Sequence, residues 1–195
     1  MPRRYFKRYR MEYDLRRQEP AAAALPAGFE WRDWSQCTLA DHALVKFRAF
    51  AGTVDAEVFT SLSSYEGCHG LMEHIVGRVD FLPRCTWLLV STLSETFGPV
   101  AVGTTQCVAP VHRQAAIQNV GIVPEFRGQG LGRALVDRTL LAMREEGFER
   151  ATLEVTSRNE QAVALYHRIG FRTVRTSYRS VRFQQAPRLA IARSS

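Results

Sequence analysis

The chain has 195 residues, 46% of them hydrophobic, with a formal net charge of +7 and a pI near 9.7. That length supports a single core without requiring a second domain, and the apolar fraction excludes a disordered or collagen-like chain. The longest apolar runs, such as Trp87-Leu-Leu-Val90, are too short for a helical membrane span.

The start, Met-Pro-Arg-Arg-Tyr-Phe-Lys, is basic but leads into no apolar signal region, so a cytoplasmic chain is expected. In the next stretch Tyr9, Met11, Tyr13 and Leu15 alternate with Arg10, Glu12 and Asp14. This is an added strand with one polar face, where arginines are expected to be solvated. Residues 1–18 form a basic N-terminal extension, and the Pro/Ala stretch 19–28 reads as a linker. Phe29 to Trp34 is the first core strand. Thr38-Leu-Ala-Asp41 is a capping-box-like helix start, with Leu39, Ala43, Phe47 and Phe50 as its apolar face. Asp55 to Leu62 and Tyr65 to Val79 are further helical segments. The second carries Tyr65, Glu66, His69, Glu73 and His74, mostly as a solvated face. Cys85 to Ser91 and Val100 to Val108 form a hairpin around Ser94–Gly98. Cys37, Cys68, Cys85 and Cys107 make no Cys-x-x-Cys pair and read as reduced core thiols, without metal or disulfide.

Two stretches carry chemistry. In Asn119 to Arg133, the apolar run Val120–Val123 is strand-like and Pro124 ends it. Gly128, Gly130 and Gly132 follow, and then Leu131, Leu135, Val136, Leu140 and Met143 recur at helical spacing. A glycine turn over a bare helix N-terminus is an anion site, suited to a pyrophosphate. No Gly-Lys-Ser/Thr closes the turn, and Gly128-x-Gly130-x-Gly132 lacks the Gly-x-Gly-x-x-Gly spacing of dinucleotide-binding folds. In the second stretch, Ala151, Leu153 and Val155 alternate with Thr152, Glu154 and Thr156 as a half-buried strand. Asn159 is an N-cap, Ala162, Leu165 and Ile169 mark one helix face, and Gly170 ends the helix. Phe171 to Tyr178 is a last strand.

Arg127-x-x-Gly130-x-Gly132, followed one α/β unit later by Asn159-x-x-Ala162-x-x-Leu165-Tyr166-x-x-x-Gly170-Phe171, resembles the GCN5-related N-acetyltransferases. The segment from Leu153 to Phe171 is also similar to that of the ribosomal-protein alanine N-acetyltransferases. The resemblance covers Cys85 to about Arg182 well and the first half loosely. It implies an α/β (α+β) fold, with a mixed, splayed central sheet flanked by helices and an extra N-terminal strand. The domain then spans 29–185, with 186–195 as a tail. It implies transfer of an acetyl or related acyl group from acetyl-CoA, without metal, to an amine on a small molecule, peptide or protein, by direct attack in a ternary complex. The backbone of Gly121, Ile122 and Val123 would meet the pantetheine amides, and an N–H near Ile122 would polarise the thioester carbonyl. Arg127, Gly128, Gln129, Gly130, Leu131, Gly132 and Arg133 would hold the pyrophosphate, and Asn159 would touch the pantetheine arm. Tyr166 stands where the family places its general acid, and Glu154 where the alanine N-acetyltransferases place their base. Gln106, Gln118 and His112 are further polar candidates for the acceptor pocket.

Two other readings remain: a non-catalytic acyl-CoA sensor on the same scaffold, and an arginine-rich nucleic-acid binder. The second rests on basic residues dense at both ends, from Arg3 to Arg17 and from Arg172 to Arg182. The same arginines can steer an anionic cofactor, so nucleic acid ranks below the amine acceptor. The added strand also offers an edge along which two copies could pair as a homodimer.

Overall fold

The computed structural model describes residues 3–93 and 98–182. Seven strands form one sheet in the order β2-β3-β4-β5-β6-β1-β7. They are β1 (Arg3–Asp14), β2 (Phe29–Asp33), β3 (Trp87–Ser91), β4 (Val100–Val111), β5 (Gln114–Ile122), β6 (Arg150–Thr156) and β7 (Arg172–Arg182). β5 and β6 run parallel; every other neighbour pair is antiparallel. The helices are α1 (Leu39–Phe50), the short α2 (Val54–Val58), α3 (Tyr65–Val76), α4 (Leu131–Glu145) and α5 (Glu160–Ile169). The hairpin tip 94–97 and the tail 186–195 lie outside the described residues.

Local chemistry accounts for most boundaries. Thr38 caps α1 through a reciprocal capping box with Asp41, Ser64 accepts from the Gly67 amide at the start of α3, and Asn159 accepts from the Ala162 amide at the start of α5. Gly170, at φ 121°, ends α5, and a Cβ there would fall 2.4 Å from the Gln18 side chain. α3 ends at Val76, short of the expected Val79, because Gly77 follows it as a C-cap.

The N-terminal strand departs from expectation in its position. β1 is an interior strand, paired over Arg8–Asp14 with β6 and over Arg3–Glu12 with β7. Met11, Tyr13 and Leu15 turn one face into the main core beneath α4 and α5, beside Leu153, Val155 and Phe171. Both edges of Arg8–Glu12 are taken, so this stretch offers no edge for pairing with a second copy. Nor are its arginines all solvated: Arg8 is only 8% exposed. The Pro/Ala stretch carries the chain back across the sheet from β1 to β2. Five strand spacings come to about 24 Å, within the roughly 33 Å that ten extended residues reach.

α1 and α3 cover the other face, with Ala43, Leu62, Cys68 and Met72 as a second core. The close approach of α1 is what makes residue 121 a glycine, since a Cβ there would lie 2.9 Å from both Ala49 Cβ and Phe50 Cε2. The β5–β6 ladder stops at Ile117↔Leu153. Beyond that pair the strands diverge, and the sheet is splayed as expected.

Candidate active site

Two openings meet at the splay. An open cleft of about 1450 Å³ lies over the glycine turn and the first turns of α4 and α5. A cavity of about 520 Å³ lies between β5, β6 and the α2–α3 segment. Phe50, Asp55, Val120, Asn159, Ala162 and Tyr166 line both and form a neck between them.

The cleft fits a pyrophosphate. Gly128 and Gly130 both sit at φ 78°, and a Cβ at either would meet nothing within 4 Å, so the surface there is open backbone. Gly130 caps α4 without any side-chain hydrogen bond, which leaves the first amides of that helix unopposed. Arg133, Arg158 and Arg168 add positive charge around the cleft. The fit to the thioester arm rests on β5. The Val123 amide donates to Val102 O at 2.9 Å, and Ile122 stands opposite Gly103. In an antiparallel ladder this phase aims the backbone groups of Gly121 and Val123 at β4, and those of Val120 and Ile122 at the splayed edge.

Several expected contacts change accordingly. Val123 cannot offer its amide to a ligand; its side chain is also fully buried, and it lies outside the cleft lining. Gly121 is spent on β4 and on the approach of α1, while the backbone groups of Val120 point to the splayed edge. The pattern of strand residues alone could not show this, because it depends on the ladder's phase. Arg127 lines the cleft, but two of its donors are already engaged: Nε donates to Ile122 O (3.0 Å) and Nη2 to Ala49 O (2.7 Å). Its side chain therefore clasps the turn to α1, and Gly128, Gly130 and Gly132 line the cleft beside it. Leu131 is buried by its side chain, and Gln129 stands exposed outside the lining. Arg133 pairs with Asp137 at 3.3 Å.

At the neck, Tyr166 is 8% exposed. Burial, and then the Asp55 carboxylate, push its phenol well above the ordinary value, so it stays protonated and able to donate. Asn159 caps α5 and donates from Nδ2 to Asp55 Oδ2 at 2.9 Å, while Thr156 Oγ1 donates to Asp55 Oδ1 at 2.7 Å. Asp55 is the residue that the sequence reading missed; it sat unremarked in a helical segment. Glu154 lines the cavity but not the cleft, and Arg8 Nη2 lies 3.4 Å from its Oε2. Gln118 also lines the cavity. Gln106 does not: it is buried under α1 with His42 and Thr104. His112 is exposed at the β4–β5 turn. The polar side chains of α3 line neither space, and His69 pairs with Glu73 instead. Among the described residues no three His, Cys, Asp or Glu converge as metal ligands, and no helix is long and apolar enough to cross a membrane.

Comparison with known proteins agrees with this architecture. The model of the acetyltransferase (GNAT) family matches residues 64–171, more than half of the chain, and the chain belongs to that family. A mycothiol acetyltransferase of Beutenbergia cavernae is 46% identical over 155 residues, 78% of this chain and 48% of that protein. The [ribosomal protein bS18]-alanine N-acetyltransferase of Escherichia coli K12 is 36% identical over 67 residues, 33% of this chain and 45% of the relative. The match thus spans less than half the length of either relative. The crystal structure of a GCN5-related N-acetyltransferase from Sphaerobacter thermophilus superposes with a TM-score of 0.64 at 23% identity, over 91% of this chain and 51% of that one.

Proposed function

We propose that this protein transfers an acetyl or closely related acyl group from a coenzyme A thioester to a primary amine by direct attack. The observation that carries the reading is the neck. It joins a cleft with an open glycine turn and a bare helix N-terminus to a cavity lined by both apolar and polar side chains, and Tyr166 and Asn159 border both sides. Bound in the cleft, the thioester supplies an activated acyl carbon and a thiolate leaving group. The amides of Gly128 to Arg133 hold its phosphates, with Arg158 and Arg168 adding charge. The splayed edge at Val120 and Ile122 orients its arm. Tyr166 Oη protonates the departing sulfur, a role suited to a phenol kept in its neutral form.

The cavity is the acceptor site. Phe50, Phe59, Leu62 and Leu71 wall it, while Glu154 and Asp55 face a cation. An amine on an apolar body fits, either a small molecule or the first residues of a peptide. The relative named for bS18 alanine acts on a protein amine, in keeping with the second option. The free thiols Cys68, Cys85 and Cys107 are buried and suit a reducing, cytoplasmic compartment.

Thermal unfolding with acetyl-CoA, beside ATP and NAD as phosphate-bearing controls, tests the reading. A ligand specific to the folded state adds about 2.7 kcal/mol at a hundredfold excess over its Kd. A shift with acetyl-CoA alone is expected. A folded protein that shows no shift would overturn the assignment of the cleft.

A further inference from the structure

The geometry points to Asp55, not Glu154, as the group that takes the proton from the acceptor's ammonium. This rests on the transferase reading above.

Glu154 is displaced from that role by the interior N-terminal strand. β1 lays Arg8 against β6, with Nη2 3.4 Å from Glu154 Oε2 and Nη1 3.1 Å from Thr156 Oγ1. The Arg8 side chain is 9% exposed, so its charge is poorly screened, and that of Glu154 is 57% exposed, so water reaches it. Glu154 lies on the cavity wall, whereas Asp55 stands in the neck where amine and acyl carbon must meet. Its carboxylate is held from both sides, by Thr156 from β6 and Asn159 from α5. The other charged or titratable groups around it are Tyr166 from α5, Arg8 from β1 by way of Thr156, and Glu57 on its own helix. Glu57 is engaged by Arg4 at 3.4 Å and Arg158 at 4.0 Å. An ammonium seated in the neck meets Phe50, Val120 and Ala162 in place of water, and that desolvation favours the neutral amine and eases the transfer.

The step balances. Asp55 takes one proton from the ammonium, and the freed nitrogen pair forms the C–N bond to the acyl carbon. Tyr166 Oη gives its proton to sulfur as the C–S bond breaks, and recovers one from the acylated nitrogen. Asp55 releases its proton to solvent, the single proton that the reaction yields.

The test uses two probes of nearly the same shape, chosen for the aromatic walls. 2-Phenylethylamine is cationic at neutral pH, and O-benzylhydroxylamine is neutral there and needs no base. Thiol release is measured at saturating acetyl-CoA, and acetyl-CoA affinity separately by calorimetry. Asp55→Asn should slow the cationic probe about 100-fold or more, the usual scale of general-base catalysis, and the neutral probe far less, with acetyl-CoA affinity kept within about twofold. Glu154→Gln should slow both probes alike. Thr156→Val removes one arm of the latch but leaves the carboxylate, and should also slow both alike. Loss of both probes to the same extent in Asp55→Asn, or of acetyl-CoA binding, would make Asp55 a structural latch and overturn the assignment. So would a probe-selective loss in Glu154→Gln. A wild type that binds acetyl-CoA but uses neither probe would refute the acceptor reading itself, an outcome distinct from an active wild type with an active Asp55→Asn.

Discussion

Lys46 offers a quantitative test of the packing between α1 and the sheet. It has no exposed surface, and its Nζ lies 2.7 Å from Asn119 Oδ1 on the wall of the cavity between β5 and β6. Burial pulls the ammonium from 10.5 down to about 7, with a small opposing pull from Cys68. The folded value lies below the unfolded one, so the associated stability is complete above pH 10.5 and is lost as pH falls through about 7. At 1.36 kcal/mol per unit, the full span is about 5 kcal/mol, and the slope just above neutrality approaches about 1 kcal/mol per pH unit. Lys46→Met keeps the length of the side chain, abolishes this slope and leaves Asn119 Oδ1 without its donor, at about 1–3 kcal/mol. The variant should therefore be more stable than wild type at pH 7 by about 1–3 kcal/mol, a rise in Tm of roughly 3–10 °C. By about pH 10 that advantage should be gone. Urea unfolding of both proteins at several pH values between about 6 and 10 gives the difference directly, other titrations cancelling. A stability difference that does not change with pH would refute the assignment of a strained, buried ammonium.

Tyr166→Phe should lower turnover about 100-fold, within the range for a general acid, while acetyl-CoA affinity stays near wild type; steady-state kinetics with calorimetry would show this, and an unchanged kcat would remove Tyr166 as the acid. Gly130→Glu puts a side chain at φ 78° and a negative charge over the bare α4 terminus. It should abolish the acetyl-CoA thermal shift while the protein still folds, and a normal shift would mean that the phosphates bind elsewhere.

What could be read from the chain was local. The glycine turn, the α4 stripe, the Asn159 cap and the Gly170 stop each depend on residues within a few positions of one another, and their order identified the fold. The apolar face of β1 was legible for the same reason, since strand alternation needs only neighbours.

Tertiary structure decided what lies between elements distant in sequence. Asp55 meets Thr156 and Asn159 across 101 and 104 residues, and Arg8 meets Thr156 across 148. No local pattern encodes such pairings, because they follow from where strands are placed in the sheet. Insertion of β1 between β6 and β7 turned an expected solvated arginine into a buried partner of Glu154. The β4–β5 ladder phase turns the backbone groups of Gly121 and Val123 to β4, and those of Val120 and the Ile122 amide to the splayed edge. Local residue order set which elements form and where a glycine turn opens over a helix N-terminus. Only the packed sheet decided which carboxylate stands in the neck, because charge pairing and backbone direction are set across strands and not along them.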